Sequence, residues 1–564
     1  MRSEAEVTQR SDAEDCQNTK AEDSQPTNAD NAGNADNTQR YDRQLRLWQK
    51  DGQAALERAR VVVLGSTALA SESLKNLVLP GIGEFVVVDD AVATPADARS
   101  NFFVYPPDVG QPRAQCVVRN LAEMNPDVRG RAEAIAPAAL LDDDDKCQLL
   151  AAAALVVCCA QPEHVVRRVA RWCWDADVPV IAATAAGFQA EIRTAVREHT
   201  VIESHAAARA DLRVTTPFAA LRAYADAIDL AALDSTDLAH VPLVVLLIKA
   251  WDKWAAEGNP TQGLSFPQLR KLAELVRSMA PAPDEENFEE AAAAVNVSCA
   301  SYRIPDEVAA ILDDPAAAAP GTDASNFWLL VGALRRYVAS QYAEGMLPLS
   351  GTIPDMKADT SSYVKLQRIY KDKAEQDKAE FATHLRAVLQ DASLPAGHVS
   401  EAEVDSFCKN ASRLRLLRTL PIHHDVEKTR PGNLDALASE GAAAHYALFR
   451  AADLFRSRHG RYPGAPAPGD DAADLDTLVE QDTQLLATLA RELMSQNWGM
   501  EDPEVPDALA AEFARSGHLE LHNVSAVVGG IVAQESIKLI THQYVPHNST
   551  CILDMASSTF TFTA

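Results

Sequence analysis

The fold is decided by the stretch RVVVLGSTALASESLKNLVLPGIGEFVVVDD, residues 60–90. Two runs of apolar and β-branched residues enclose a segment whose apolar side chains recur at helical spacing. This pattern predicts a strand, a turn, a helix and a second strand. Units of this kind bind dinucleotides when three glycines in the turn let the backbone approach the phosphates. The turn here is GSTALA, residues 65–70, with a single glycine. We therefore predict the scaffold of a nucleotide site that has lost its function.

The individual residues of the turn agree with that interpretation. Gly65 still permits the tight turn, whereas Ala68 and Ala70 place side chains where phosphate oxygens would approach the backbone. Asp89 ends the second strand, at about the distance along the chain where an acidic residue binds a ribose hydroxyl. It is equally a plain acid at the end of a strand, and the residues leave both interpretations open.

Around this unit, the chain alternates between buried strands and helices. The runs LVVCCA (155–160) and VPVIAAT (178–184) predict further parallel strands, because strands covered on both faces are continuously apolar. From about residue 200, helical segments follow one another, and the last stretch returns to an apolar helix followed by threonine-rich strands. The order predicts an α/β class fold: a Rossmann-like, doubly wound domain that is interrupted by a long, mainly helical insertion.

Composition excludes several classes of function. The formal net charge of −28 over 564 residues argues against binding to nucleic acid or to anionic membranes, since both interactions need cationic side chains. The longest apolar runs are far shorter than the ~20 residues that span a bilayer. Nine cysteines without a CxxC pair predict neither a zinc site nor a disulfide framework, and no metal site is expected. Reduced thiols are typical of cytoplasmic and nuclear proteins, the location we expect.

Several segments carry a resemblance to a known family. They are YDRQLRLW (41–48), SLKNLVLPGIGEFVVVDD (73–90), VGQPRA (109–114), GTIPDM (351–356), RYPG (461–464) and GGIVAQESIKLIT (529–541). The chain resembles the adenylating domain of ubiquitin-type activating enzymes, a ThiF/MoeB-like fold. More narrowly, it is similar to the regulatory-subunit family of the heterodimeric neddylation activating enzyme, the amyloid-precursor-protein-binding family. The resemblance spans almost everything except the N-terminal tail.

Residues 1–38 are rich in Asn, Asp, Glu, Ser and Thr, a composition that predicts a disordered acidic tail. For the rest of the chain the resemblance implies a domain organisation, in which residues 39–185 form the first part of a pseudo-adenylation domain. Residues 186–500 form a helical insertion that corresponds to a catalytic-cysteine half-domain without its cysteine. Residues 501–564 complete the pseudo-adenylation domain.

Catalytic halves of such enzymes carry residues that are altered here. The resemblance places Asp97 at the position of an asparagine, Ser100 at that of the catalytic arginine, Arg113 at that of a lysine, and Gln161 at that of the acid that handles magnesium. Mg²⁺ prefers oxygen ligands and neutralises charge during adenylyl transfer, so the loss of that acid matters. The resemblance therefore implies that this chain binds no cofactor, and that ATP and magnesium bind to the catalytic partner subunit.

One functional residue is retained. In paired activating enzymes, the arginine of the Tyr-x-Arg-Gln segment reaches across the dimer to ATP on the partner, which the resemblance assigns here to Arg43. A planar, permanently charged guanidinium stabilises charge that develops on phosphate oxygens. The alternative is a local salt bridge between Arg43 and Asp42 or another acid. Tyr41, Gln44 and Arg46 are expected to contact the partner or to support the interface.

Activating enzymes also need a cysteine nucleophile, usually after a proline-rich crossover loop. Cys299 and Cys408, the cysteines of the insertion, read as residues on helix faces instead. The resemblance thus predicts a regulatory subunit, non-catalytic alone, that helps its catalytic partner to activate a ubiquitin-like modifier.

Three alternatives stay open from the residues alone. The first is the corresponding subunit of another modifier system, such as that of SUMO. The second is a non-enzymatic scaffold whose helical insertion binds proteins. The third is an independent nucleotide-dependent oxidoreductase, against which residues 65–70 and the lack of a Tyr-x-x-x-Lys relay speak.

Overall fold

The computed structural model describes residues 40–562, apart from 206–209, 283–284, 425–433, 440, 468–473 and 518. The predicted tail, residues 1–38, lies outside the described residues. Within the described part the chain forms the strands β1 Arg60–Leu64, β2 Glu84–Val88, β3 Arg129–Glu133, β4 Leu155–Cys159, β5 Val180–Ala186, β6 Gln189–Ala195, β7 His199–Val201, β8 Arg415–Leu417, β9 Thr550–Asp554 and β10 Thr559–Phe562.

Eight of these strands form one mixed sheet, in the order β10-β9-β6-β5-β4-β1-β2-β3. The strands β1 to β5 are parallel and have the order 3-2-1-4-5 of a doubly wound fold. The strands β6, β9 and β10 extend the sheet in antiparallel pairing. β7 and β8 pair separately. Strand order reverses between β1 and β4, where ligands bind in folds of this kind. The predicted α/β, doubly wound fold class is confirmed.

Helices cover both faces of the parallel strands: α1 Asp42–Arg58, α2 Ala68–Val78, α3 Asp97–Ser100, α4 Arg113–Ala122, α5 Asp144–Ala151 and α6 Glu163–Asp175. In β1, Val61 and Val63 belong to the core on one face, and Val62 and Leu64 belong to the core on the other. Alternate residues of a strand point to opposite faces, so a strand that is covered on both faces is mostly apolar along its length. The same reason explains why the sequence shows these strands so clearly.

The helical insertion contains α7 Ala219–Asp226, α8 Ser235–Leu238, α9 Leu243–Ala256, α10 Phe266–Ser278, α11 Glu286–Ser298, α12 Asp306–Asp313, α13 Pro315–Ala318, α14 Asn326–Val338, α15 Thr360–Asp391 and α16 Glu401–Asn410. These helices build two apolar cores, one around Trp251 and Trp254 and one around Phe381 and Phe407. The insertion therefore has its own hydrophobic support, separate from the cores of the α/β sheet.

The last helices are α17 Leu434–Ser439, α18 Ala443–His459, α19 Leu475–Glu492, α20 Asp507–Ser516 and α21 His522–Thr541. The core of α17 to α20 includes Ala186 of β5 and Ile552 of β9, so this part packs on the sheet. β6, which also belongs to the sheet, lies beyond the predicted boundary at residue 185. The domain boundaries themselves stay predictions.

α21 packs directly on α2, and one glycine of its Gly529-Gly530 pair makes this close approach possible. A Cβ atom on Gly529 would lie 2.8 Å from the Ser73 backbone nitrogen and from Glu72 Cβ, whereas Gly530 faces open space. Close approach therefore requires glycine at position 529 only. By length and composition alone α21 is apolar enough to cross a membrane. Its residues Val524 and Val528 are fully buried in the α/β core, which accounts for that composition.

Candidate functional site

A cleft of about 650 Å³ lies at the carboxyl ends of the parallel strands, where the doubly wound sheet reverses its order. The turn after β1 forms one wall of it. Gly65 has φ +98°, and a Cβ atom there would lie 2.6 Å from the Cys159 carbonyl oxygen. The backbone conformation and the lack of space both require glycine at this position. The predicted role of Gly65 as the turn glycine agrees with this geometry.

The acid at the end of the second strand is engaged inside the chain. Asp89 is 5% exposed, and its Oδ2 accepts hydrogen bonds from the Ser66 backbone nitrogen at 2.9 Å and from Arg113 Nη2 at 2.8 Å. Burial raises the pKa of Asp89, but the Arg113 guanidinium and these hydrogen bonds outweigh burial and hold that pKa below its ordinary value. The carboxylate that could meet a ribose is thus held ionised by an arginine.

Arg113 spans the space between three partners. Besides Asp89 it donates to Ser66 Oγ at 2.9 Å and to Asp97 Oδ1 at 2.8 Å. Burial lowers the pKa of Arg113, and the two carboxylates raise it above its ordinary value. Two of the altered family positions, Asp97 and Arg113, are therefore brought together as an ion pair. The guanidinium fills the space beside Asp89.

A second carboxylate reaches the start of α2 from the other end of the chain. Glu520 lies just before α21, and its Oε2 accepts a hydrogen bond from the Leu69 backbone nitrogen at 3.0 Å. The N-terminus of a helix attracts anions because its first N–H groups are free and its dipole is positive there. Burial raises the pKa of Glu520 despite that contact. The side chain occupies the place where a phosphate would bind, and sequence reasoning missed it.

The other altered positions are also engaged locally. Ser100 Oγ donates to the Ala96 carbonyl oxygen at 3.1 Å, and Gln161 Nε2 donates to the Cys159 carbonyl oxygen at 3.0 Å. In residues 40–562, outside the gaps given above, no group of three or more His, Cys, Asp or Glu side chains is placed to hold a metal ion. These residues do not fit a magnesium nucleotide, because Glu520 would repel a phosphate at α2 and Arg113 covers Asp89.

The floor of the cleft is a buried cluster of four charges, which the sequence did not reveal. Arg193 of β6 forms two hydrogen bonds with the Glu163 carboxylate, at 3.0 and 2.7 Å. Arg450 of α18 bonds to both Glu163 and Glu191. All four side chains are at most 7% exposed. Burial raises the pKa of Glu163, and the two arginines lower it to about 2. Two positive and two negative charges compensate each other here, and they join β6 and α6 to α18.

Arg43 lies elsewhere, on the first turn of α1 and outside the cleft lining. Its side chain is exposed, and no residue of the described chain forms a hydrogen bond or ion pair with it. Asp42, its suggested local partner, instead pairs with Arg46 at 2.8 Å. The local alternative with Asp42 is therefore not formed, and the Arg43 guanidinium faces solvent.

The neighbours of Arg43 are held more tightly. Tyr41 is 2% exposed, and its hydroxyl accepts a hydrogen bond from Asn125 Nδ2 at 3.0 Å. Gln44 Oε1 is buried and has no hydrogen-bond partner among the residues that the structure describes. The predicted interface residues thus differ: Tyr41 anchors the first turns of α1, residues 42–47, which we call the Arg43 arm, and Arg46 is exposed beside Asp42.

Comparison with known proteins decides the family. Residues 41–564 match the ThiF family. The NEDD8-activating enzyme E1 regulatory subunit of Xenopus laevis is 35% identical over 536 residues, which is 93% of this chain and 98% of that protein. The chain belongs to the family of NEDD8-activating enzyme E1 regulatory subunits. The Danio rerio member is also 35% identical, over 92% of this chain and 97% of its own length. The resemblance stated from the sequence segments is confirmed.

Membership of the ThiF family agrees with the adenylation-type fold and with its sheet order. The match begins at residue 41, just before the Arg43 arm. The roles of single residues do not follow from membership. Those expected of Arg43, Tyr41, Gln44, Arg46 and Asp89 stay predictions.

Proposed function

We propose that this chain is the non-catalytic half of a heterodimeric enzyme that activates NEDD8. In that enzyme a catalytic subunit would bind ATP and magnesium, adenylate the modifier and then carry it as a thioester. The support is the 35% identity over nearly the full length of relatives that are named regulatory subunits of the NEDD8-activating E1. A regulatory subunit implies a catalytic partner.

The chain's own cleft would take no nucleotide, and its side chains explain why. Arg113 occupies the space beside Asp89, where ribose hydroxyls would bind, and Glu520 places a carboxylate at the start of α2, where phosphate would bind. The Glu520 carboxylate would repel the negatively charged phosphate. A magnesium ion could offset this repulsion, but the acidic residue that would bind it is missing. Turnover would therefore take place on the partner subunit.

The exposure of Arg43 is the observation that supports a direct contribution of this chain to catalysis. Arg43 is an exposed arginine without an acidic partner in the described chain, and it lies on an arm whose flanking residues are buried. We propose that its guanidinium reaches the phosphates of ATP on the catalytic subunit. There a rigid, permanently charged fork stabilises the charge that develops on oxygen during adenylyl transfer.

The test is pyrophosphate exchange by the complex reconstituted with a catalytic subunit and NEDD8. Arg43→Ala should lower the exchange rate by about 10³-fold, the scale of other arginines that act in trans, while the subunits still co-elute. The matched control is Arg368→Ala, an exposed arginine of the helical insertion that is paired with Asp372 one helical turn away. A rate for Arg43→Ala within about twofold of the parent would remove the role of Arg43 and favour the scaffold alternative.

Two further measurements bear on the same proposal. Pyrophosphate exchange by this chain without a partner would contradict the non-catalytic role. Replacement of NEDD8 by SUMO in the complex separates the modifier systems, and we expect no adenylate with SUMO. We also propose a cytoplasmic and nuclear location, which the free state of the cysteines in the described chain supports.

A further inference from the structure

The arm that carries Arg43 is a separate piece of helix. α1 is broken at Trp48 (φ −125°, ψ 16°) and Gln49 (φ 58°, ψ −170°), so the turns before the break do not continue the axis of those after it. Carbonyl groups beside such a break lose their partners in the helix and need other donors. The orientation of residues 42–47 therefore depends on the groups that bind the free carbonyl oxygens at the break.

Two consecutive residues that follow α21 supply those donors. Gln543 Nε2 donates to the Trp48 carbonyl oxygen at 2.9 Å, and the Tyr544 hydroxyl donates to the Leu47 carbonyl oxygen at 3.0 Å. They lie almost 500 residues away in sequence from the carbonyls that they bind. We propose that Gln543 and Tyr544 are positioning residues that fix the direction in which Arg43 is presented to the partner subunit. The proposal rests on the role of Arg43 proposed above.

The two donors are themselves held in place. Gln543 is 4% exposed, and its Oε1 lies 3.0 Å from His205 Nε2. The His205 ring stacks on the Tyr544 ring, with centroids 4.8 Å apart and planes at 14°. Because Gln543 uses its nitrogen for Trp48, its oxygen must accept from His205. Gln543, His205 and Tyr544 thus form a connected set of hydrogen-bond and ring contacts in which each side chain has a defined orientation. A loose surface contact would not have these features.

The opposite end of the arm is anchored as well. Tyr41 is buried against Gly81, where a Cβ atom would lie 2.6 Å from the tyrosine hydroxyl oxygen. Asn125 donates to that hydroxyl and also to the Val78 carbonyl oxygen at 2.9 Å. Arg43 therefore sits between two fixed points on a segment about 9 Å long. Release of one point would let the guanidinium move, and a displacement of about 1 Å can cost catalysis about 10²-fold.

The test uses Gln543→Leu and Tyr544→Phe, singly and together, in the reconstituted complex with NEDD8. The first keeps the size of the side chain, and the second keeps the ring on His205. We expect the double variant to lower the kcat of pyrophosphate exchange roughly tenfold, with the KM for ATP and subunit co-elution unchanged. Tyr342→Phe is the matched control, since it removes a tyrosine hydroxyl bonded to Asp377 in the helical insertion.

A double-mutant cycle with Arg43→Ala separates positioning from general support. If Gln543 and Tyr544 act through Arg43, their loss should change the rate by less than twofold once Arg43 is gone. A further tenfold loss in the Arg43→Ala background would overturn the proposal, because the two residues would then act on folding or on the interface. So would a double variant as fast as the parent. Failure of Arg43→Ala itself to slow the complex would instead contradict the proposed function. If the double variant does not fold, Tyr544→Phe alone completes the same cycle.

Discussion

Arg113 donates a hydrogen bond to the Asp89 carboxylate at 2.8 Å, across the space that a nucleotide would need. The side chains of Arg113 and Asp89 are 16% and 7% exposed, so the pair is largely withdrawn from water. An ion pair in this setting adds little compared with apolar packing, but the loss of one partner leaves the other charge uncompensated. The Asp89–Arg113 ion pair is thus a buried structural contact at the carboxyl end of β2.

Asp89→Asn should therefore destabilise the chain. We expect a loss of about 2–3 kcal/mol in the free energy of unfolding at neutral pH, since Arg113 keeps Asp97 as a second partner. The folded-state pKa of Asp89 is below its ordinary 3.8, so the contribution is complete above that value and is lost as the pH falls below it. Chemical unfolding at several pH values measures both effects. Asp90→Asn, an exposed neighbour, is the control and should stay within about 0.5 kcal/mol of the parent. Equal effects of the two substitutions would contradict the structural role.

Removal of the internal carboxylate should reopen the anion position at α2. In Glu520→Ala the Leu69 N–H loses its acceptor, and inorganic pyrophosphate should then raise the unfolding temperature of the isolated chain in a concentration-dependent way. The parent chain should show no such rise. Glu501→Ala, which removes an exposed acid, controls for the change in net charge. Equal stabilisation of the parent by pyrophosphate would show that Glu520 does not exclude anions.

The glycine pair of α21 offers a matched comparison. Gly529→Ala places a methyl group 2.8 Å from the backbone of α2, so the two helices must separate, at a cost of about 1–3 kcal/mol. Gly530→Ala meets no atom within 4 Å and should stabilise the chain by about 0.5–1 kcal/mol, because alanine is the better helix former. Thermal unfolding of the two variants measures the difference. Destabilisation by Gly530→Ala of the same size would contradict the contact assigned to Gly529.

The strands that could be predicted from the sequence are those whose own residues form an apolar run. β1, β2, β4 and β5 consist mainly of apolar residues because both faces are buried, and they lie within a few residues of the predicted runs. Sequence reasoning missed β3, whose residues RGRAE are polar because an edge strand is partly exposed. It also missed β6, QAEIRTA, which is fully buried yet carries Glu191 and Arg193. A charged residue is stable inside a sheet only where an oppositely charged side chain pairs with it. The sequence alone does not show that partner.

The residues of the candidate site were harder to predict from the sequence, for a related reason. The degenerate turn at Gly65 is a local pattern, so the prediction that it has lost nucleotide binding could be made from the residues alone, and it stays a prediction. Glu520 meets Leu69 from 451 residues away, and Arg450 meets Glu163 from 287 residues away. Nothing in the neighbourhood of either residue indicates such a partner. Contacts of this kind depend on topology, which propensity and periodicity do not describe.

The cysteines of the helical insertion should not take part in thioester formation. Cys299 and Cys408 are 1% and 5% exposed, and burial raises the pKa of each thiol to about 12, so neither forms a thiolate near neutral pH. In the complex with a catalytic subunit, Cys299→Ala and Cys408→Ala should leave the yield of the NEDD8 thioester within about twofold of the parent. Non-reducing electrophoresis shows which subunit carries the modifier. A thioester on this chain that Cys408→Ala abolishes would contradict the prediction.

The buried cluster below the cleft should control stability in acid. Glu163 is the centre of the cluster, since it accepts from both Arg193 and Arg450, and Glu163→Gln leaves two guanidinium groups with the single charge of Glu191. We expect a loss of about 3–5 kcal/mol at neutral pH. The pKa of Glu163 is lowered from 4.5 to about 2, so its contribution is complete above 4.5 and declines as the pH falls toward 2. The gap between parent and variant should therefore narrow over that range. The control Glu123→Gln, at an exposed helix end, should have the same free energy of unfolding as the parent at every pH. If the difference between the parent and Glu163→Gln instead stays constant down to pH 2, the carboxylate charge of Glu163 is not what holds α6, β6 and α18 together.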